Sequence, residues 1–351
     1  MNSLDFSHEE VERSRRYHRP RYLALAGKTA LATGVLVGLR FAGDAFDGLG
    51  WAGAALLWAA VVPAAQSLVT LPLDLWNGHE RERRWGFSTQ SLAGWLGDRG
   101  KGLAISVVLT AAAWLGLVAL ARAAAWWAAP AAVAAALVVL FLSFVAPVVL
   151  EPVFNRFAPL QDAELAARLH ALARRAGAPV REILVADASR RTTKINAYVS
   201  GLGASRRVVV WDTLLEAAGG DGVELVVAHE LGHRRLRHVA KLSAAAMALA
   251  AAFVLVLRAA LGRPAAGDLP DAALLAVGFE VVLLPFLNAL SRRYERQADR
   301  FAIELAGGAT FAETMRELSR RNLSDLDPPR LAYVLLFSHP TPSERLALAA
   351  A

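Results

Sequence analysis

Apolar residues are gathered along the chain into six long runs, each of which is long enough to cross a bilayer as a helix. A hydrocarbon core about 30 Å thick takes roughly 20 helical residues. The runs cover residues 22–42, 51–73, 103–127, 131–151, 241–262 and 271–290. They predict a predominantly α-helical, polytopic membrane protein with about six transmembrane helices. The third and fourth runs are joined by a short Trp/Ala/Pro stretch, which predicts a tight helical hairpin.

Charged residues interrupt several of these runs. We expect Lys28 and Arg258 to snorkel or to lie near the interfaces, because a long side chain can carry its charge to the headgroup region. Glu280 differs from them, since an ionisable residue within a span is costly and tends to be functional. It competes for a role as a metal ligand, but no acid lies one turn further on and its depth is wrong for a site at the membrane surface. We therefore expect it to line a chamber or contact a neighbouring helix, with an ordinary interhelical hydrogen bond as the alternative.

The distribution of Lys and Arg predicts how the chain is oriented in the membrane. The N-terminal segment, the stretch between the second and third runs, and the stretch after the sixth run are basic. The loop around Asp44 and Asp47 has no Lys or Arg, so the positive-inside rule puts both termini in the cytoplasm. The Ala/Arg-rich composition indicates a bacterial source and hence the inner membrane.

The composition of the chain indicates which kinds of molecule it can bind. Hydrophobic residues make up 56% of the chain and the mean hydropathy is +0.38, which exceeds what soluble domains usually carry. The net charge of +7 arises from Lys and Arg that flank apolar runs, so it predicts a lipid bilayer and no nucleic acid as partner. The chain has no cysteine, which excludes a thiolate nucleophile and limits a zinc site to imidazole and carboxylate ligands.

The segment after the fourth run is predicted to be a cytoplasmic insertion with a small β-sheet. Asp162 can cap an amphipathic helix through Ala176, and Gly177 can end it. Short β-branched runs at 183–185, 197–199 and 208–211 predict strands, with Gly201 and Gly203 between the last two. Residues 223–239 favour a helix, which we predict to be continuous with the fifth span.

These elements divide the chain into four regions. We predict an N-terminal membrane region with four spans (1–151) and a cytoplasmic metallopeptidase segment (152–240). Two further spans (241–290) and a cytoplasmic C-terminal helical region (291–351) follow.

The predicted helix of the insertion carries the motif His229-Glu230-Leu231-Gly232-His233. Histidines four residues apart lie on one face of a helix and can reach one metal ion. The carboxylate of Glu230 can hold the attacking water and take its proton. HExxH also recurs by chance on ordinary surface helices, so the motif needs a third ligand to predict a metal site.

Glu295 is our candidate for that third ligand. It follows the sixth span and lies on the same predicted side of the membrane as His229. Asp299 comes one helical turn later, where it can accept a hydrogen bond from a ligand histidine and fix its tautomer. An alternative interpretation is a solvated helix face rich in Arg and acid. On a continuous helix, His238 falls off the ligand face, so we expect no metal-binding role for it.

These residues resemble the type I CAAX prenyl proteases, which are integral-membrane zinc peptidases with an HExxH motif and a downstream ExxxD motif. The likeness includes Glu295–Asp299, the Trp85-Gly86-Phe87-Ser88 segment before a span, and Glu151-Pro152-Val153-Phe154-Asn155. It implies a gluzincin-like zinc site. Eukaryotic members have seven spans around a large water-filled chamber, whereas six are predicted here.

The resemblance also implies roles for residues outside the two motifs. Asn196, Ala197 and Tyr198 match a segment that lines the substrate groove, where an extended peptide would bind by strand addition. His339 and Arg345 match a pair that positions the substrate or stabilises the oxyanion.

Together, these observations predict a zinc metalloendopeptidase with one Zn²⁺, bound by His229, His233 and Glu295, with Glu230 as general base. The expected substrates are peptides or membrane-associated proteins, which could carry a lipid. One alternative is an HtpX-type quality-control protease. A non-catalytic membrane scaffold is another, but the intact general base argues against it.

Overall fold

Six helices in the described part of the chain are long and apolar enough to cross a membrane, in agreement with the six predicted runs. The structure is a computed structural model that describes residues 6–200 and 207–350. Helices and one small sheet make up the fold, which confirms the predicted fold class. Gly201 and Gly203 lie outside the described residues.

Two of the long helices of the N-terminal membrane region begin with a serine cap, Ser7 and Ser91. Ser7 and Glu10 form a reciprocal capping box at the start of the first helix, with hydrogen bonds of 3.2 and 2.7 Å. Pro63 and Pro72 lie inside the second helix, as membrane helices tolerate. The helices of this region are α1 (His8–Leu39), α2 (Gly50–Leu75), α3 (Arg81–Arg84), α4 (Leu92–Ala123) and α5 (Ala128–Val145).

The rest of the chain forms the insertion, two further spans and a helical C-terminal region. The helix after Asp162 and its end at Gly177, which has φ +64°, are as predicted. The elements are α6 (Glu151–Phe154), β1 (Phe157–Pro159), α7 (Ala163–Arg175), β2 (Glu182–Ala186), β3 (Ala197–Ser200), β4 (Arg207–Trp211), α8 (Asp212–Ala217), α9 (Gly220–Arg235), α10 (His238–Leu261), α11 (Leu269–Ala306), α12 (Gly308–Arg321), α13 (Arg330–Leu336) and α14 (Pro342–Ala349).

The membrane helices are packed most tightly at the end of the bundle that lies away from the insertion. There Trp58 is buried among small residues of neighbouring helices. The indole N–H groups of Trp114 and Trp127 donate to the carbonyls of Ala266 and Gly262, at 2.9 and 3.2 Å. Buried tryptophans need such partners, and these two bonds tie α4 and the start of α5 to the turn between α10 and α11.

The predicted helical hairpin of the third and fourth spans is only partly correct. A short turn at 124–127 does join α4 and α5. However, α4 packs mainly along α2, and α5 packs mainly along α10. The two helices therefore diverge from their common turn, because each buries its apolar face against a different neighbour.

Lys28 is paired with an acidic residue that lies next to the end of the second apolar run. Its Nζ atom lies 2.7 Å from Oδ1 of Asp74, and Nη2 of Arg99 lies 2.6 Å from the other carboxylate oxygen. This ion pair joins α1, α2 and α4. Arg258 donates to the carbonyl of Gly262 at 2.9 Å and so caps the end of α10.

The insertion folds around a four-stranded sheet with the order β1-β2-β4-β3. Strands β2 and β4 are parallel, and each pairs with an antiparallel strand on its outer side. Helices α7, α9 and α12 share one apolar core with the sheet, in which Leu169, Val210, Leu231 and Phe311 are fully or almost fully buried. In this order β3 is an edge strand of the sheet, next to α9.

The motif helix and the fifth span are separate helices, which corrects the predicted single long helix. Helix α9 ends at Arg235, and Arg237 adopts a left-handed conformation with φ 58° and ψ 32°. A non-glycine residue in this conformation costs about 1–2 kcal/mol. The break reverses the side chain of His238 toward the motif helix, where it is fully buried.

Candidate metal centre

The site lies where α9 crosses α11. Gly232 allows this close approach, because a Cβ atom at this position would lie 3.2 Å from Cα of Ala298 and 3.2 Å from the ring of Phe301. With the two backbones so near, the histidines on one face of α9 meet Glu295 on α11. Small residues at helix crossings are what permit such short distances.

His229, His233 and Glu295 place three ligand atoms around one point, as the sequence predicted. The two Nε2 atoms are 3.1 Å apart. Nε2 of His229 lies 3.3 Å from Oε2 of Glu295, and Nε2 of His233 lies 3.2 Å from Oε1. Tetrahedral zinc with bonds of roughly 2.0–2.1 Å has ligand separations of about 3.3 Å. The spacing of the three donors fits such an ion.

Glu295 supplies a second indication of a metal. Its side chain is only 7% exposed, and its buried Oε2 atom has no hydrogen-bond partner among the residues that the structure describes. A buried carboxylate oxygen without a partner is costly. A cation between the donors would satisfy it, so the residues present fit the metal that the motif implies.

Asp299 contacts the ring nitrogen of His229 that faces away from the metal position. Its Oδ1 atom lies 2.8 Å from Nδ1 of His229, and its side chain is fully buried. This contact leaves Nε2 of His229 directed at the metal position. Burial disfavours the charged imidazole, but the nearby carboxylates of Asp299 and Glu295 outweigh this effect and raise the pKa of His229 to about 9 in the metal-free protein.

Arg345 lies on Asp299. Its Nε atom donates to Oδ2 at 2.9 Å, and its Nη2 atom contacts Oδ1. The same Nη2 is 3.4 Å from Nδ1 of His229. The family resemblance implied that Arg345 positions the substrate or stabilises the oxyanion. The structure adds that two of its nitrogens contact the carboxylate of Asp299.

Glu230 lies between the ligand histidines and a cavity. Burial raises the pKa of its carboxyl group, and the neighbouring His229 and His233 act in the opposite direction. A raised pKa brings a carboxylate closer to the range in which it can both accept and return a proton near neutral pH.

A cavity of about 450 Å³ opens beside the motif helix. Glu230, Asn196, His339 and Arg345 all line it, and apolar side chains of α9 and α12 form part of its wall. His339 is 60% exposed, with Nε2 at 3.4 Å from Oε2 of Glu295. The fold thus brings these four residues, which are far apart in sequence, to one cavity beside the metal position.

The comparisons with known proteins identify the family. The model for peptidase family M48 matches residues 159–351, more than half of the chain. The chain belongs to peptidase family M48. A second model, described as the CAAX prenyl protease N-terminal region with five membrane helices, matches residues 29–156. This M48 chain is therefore a multi-pass membrane metallopeptidase of the CAAX prenyl protease type.

Individual M48 relatives agree with this assignment. The "Uncharacterized metalloprotease YhfN" of Bacillus subtilis is 32% identical over 302 residues, covering 82% of this chain and 71% of the relative. The CAAX prenyl protease 1 homolog of Arabidopsis thaliana is 29% identical, with 83% and 72% covered. The crystal structure of S. mikatae Ste24p superposes with a TM-score of 0.83 at 24% identity, over 98% of this chain and 89% of that one, and shows the same fold.

The predicted substrate-groove segment forms the edge strand β3 of this M48 peptidase. Tyr198 donates its hydroxyl to Glu151 at 3.0 Å, and Oδ1 of Asn196 accepts from the amide of Ala197 at 2.9 Å. Ala197 itself is buried. These contacts fix β3, an edge strand of the sheet, directly after Asn196, which lines the cavity.

The sequence assigned no metal-binding role to Glu280 or His238, and the structure places only Glu280 far from the metal donors. Glu280 is exposed on α11, fifteen residues or about 22 Å along the helix from Glu295, so it cannot share their metal. His238, for which no role was expected, lies with Nδ1 at 3.1 Å from Nδ1 of His233. The left-handed Arg237 causes this contact, and no glycine or proline marked that turn in the sequence.

Proposed function

We propose that this M48 peptidase is a zinc endopeptidase that cleaves peptides or membrane-associated proteins at the cytoplasmic face of a bacterial inner membrane. The observation that carries the proposal is the set of three donor atoms spaced for a tetrahedral ion, next to the buried carboxylate of Glu230. The basic segments that flank the spans support the cytoplasmic orientation.

His229, His233 and Glu295 would hold the zinc ion, and Asp299 fixes the orientation of His229. Zinc, when bound, polarises the scissile carbonyl and lowers the pKa of a water molecule toward about 7. Glu230 takes a proton from the attacking water and returns it to the leaving amine. No side chain forms a covalent bond with the substrate.

Substrate positioning would involve the walls of the cavity. An extended peptide pairs with the edge strand β3, and the side chain of Asn196 faces the same cavity. His339, exposed beside the metal position, donates to the developing oxyanion. Arg345 contributes positive charge from its place on Asp299.

The test compares wild type with Glu230→Gln in detergent. We expect zinc in both proteins and cleavage of a peptide substrate by wild type alone. Glu280→Gln is a matched control, because it makes the same change on an exposed residue away from the metal, and it should retain activity. Absence of metal from wild type, or equal cleavage by Glu230→Gln, would refute the proposal.

The substrate preference distinguishes a CAAX prenyl protease-like activity from that of an HtpX-type quality-control protease. A prenylated CAAX peptide and the same peptide without the lipid would be assayed alongside an unfolded membrane protein. Preference for the CAAX peptides favours the CAAX prenyl protease-like role. Preference for the unfolded protein favours an HtpX-type quality-control role.

A further inference from the structure

His238 is a buried histidine that the proposed reaction does not use. It is the first residue of α10 and is completely inaccessible to solvent. Besides its contact with His233, its Nε2 atom lies 2.9 Å from Oε1 of Gln297. Both ring nitrogens therefore have partners, and both partners belong to the helices that build the metal centre.

The hydrogen-bonding capacity of these groups allows one arrangement of protons when His233 binds a metal. A neutral imidazole that ligates through Nε2 carries its proton on Nδ1. That N–H donates to Nδ1 of His238, which must then be unprotonated. Nε2 of His238 carries the remaining proton and donates to the amide oxygen of Gln297. The chain of bonds starts at a metal ligand and ends on α11, between Glu295 and Asp299.

Packing fixes the plane of the His238 ring as well. It stacks on Tyr294 with a centroid separation of 4.3 Å and an angle of 9°. Tyr294 and Gln297 lie three residues apart on α11 and so share one face of that helix. The left-handed conformation of Arg237 places His238 against this face. The contacts that His238 makes there offset the conformational cost of the turn.

We propose that His238 is a positioning residue that sets the tautomer and the ring orientation of His233 and thereby strengthens metal binding. This inference rests on the proposed metal centre. The two ligand histidines then have different outer partners, a carboxylate for His229 and a neutral imidazole for His233. Such partners typically change metal affinity by roughly 10- to 100-fold.

The test measures zinc affinity by competition with a chromogenic chelator. We expect His238→Phe, which keeps a ring to stack on Tyr294 but accepts no hydrogen bond, to bind zinc at least tenfold more weakly. His238→Asn places an amide oxygen near the former Nδ1 and should stay within about threefold of wild type. His8→Asn, at an exposed histidine, is the control and should leave the affinity unchanged.

Two further readouts make the result unambiguous. Cobalt substituted for zinc should give a changed visible spectrum in His238→Phe and a native-like one in His238→Asn. Thermal unfolding of the metal-free proteins, followed by tryptophan fluorescence, reports whether each variant folds. Native zinc affinity in a folded His238→Phe would overturn the inference and leave the proposed function intact, whereas absence of metal from wild type would overturn the proposed function itself.

Discussion

Replacing Asp299 by Asn tests two separate effects of one buried carboxylate. In the structure this side chain accepts a hydrogen bond from His229 at 2.8 Å and is paired with Arg345. The substitution keeps the shape and leaves an acceptor for His229, but it removes the charge. It should therefore weaken metal binding and also leave the guanidinium of Arg345 without its counter-ion.

The two effects have different magnitudes and can be separated by a second substitution. Loss of one partner of a buried ion pair costs about 3–5 kcal/mol of folding free energy, and we expect roughly 3 kcal/mol because the Arg345 side chain remains 16% exposed. Loss of the carboxylate behind a ligand should lower zinc affinity about tenfold. In Asp299→Asn/Arg345→Met, most of the stability should return while the affinity stays low.

The assays are thermal unfolding of metal-free protein in detergent and chelator competition for zinc. Unfolding can be followed by the fluorescence of the nine tryptophans, since the chain has no cysteine for a thiol dye. Asp271→Asn, near the other end of α11, removes a pairing with Arg40 at 3.1 Å and should leave zinc affinity unchanged. If Asp299→Asn binds zinc as wild type does, or if the double variant regains native affinity, the proposed role of the carboxylate is wrong.

Three other predictions concern the same pair of helices. Gly232→Ala should destabilise the protein by about 1–3 kcal/mol and weaken zinc binding, because its Cβ would lie too close to Ala298. Unfolding and chelator assays measure both effects. Gly278→Ala, whose Cβ meets no described atom within 4 Å, should show neither. Burial raises the pKa of Glu230, so metal-free wild type loses stability as pH rises from about 4.3 through that raised value. Glu230→Gln should therefore melt higher than wild type at pH 8, and the difference should vanish near pH 4; equal melting temperatures at pH 8 would contradict this. Arg237→Val should lower the melting temperature and Arg237→Gly should not, because a β-branched residue disfavours the left-handed turn; equal melting of the two variants would show that the turn is not needed.

The sequence predicted the spans and the ligands because both depend on short-range regularities. Apolar runs of about 20 residues report a bilayer crossing directly, and a spacing of four residues places His229 and His233 on one face of any helix. Glu295 and Asp299 could be assigned because they follow a span on the expected side. The spans and the histidine pair need only the geometry of a single helix, and Glu295 and Asp299 need in addition the side of the membrane on which each span ends.

The features that the sequence did not predict depend on contacts between distant elements. The turn at Arg237 lacks glycine and proline, so its left-handed backbone follows from the packing of His238 on Tyr294. Lys28 pairs with Asp74, which is 46 residues away in the chain, and no pattern in the sequence identifies that partner. The pairing of α5 with α10 likewise reflects a choice among apolar surfaces that hydropathy cannot distinguish.

The metal donors are divided between α9 and the far part of α11, and the chain between them includes α10 and the apolar half of α11. During synthesis, His229 and His233 leave the ribosome before the hairpin that delivers Glu295 has entered the bilayer. The nascent chain therefore holds only two of the three ligands until its last spans are in place. Assembly of this candidate centre thus requires the two helices α9 and α11 to come together after both spans between the donors have been made.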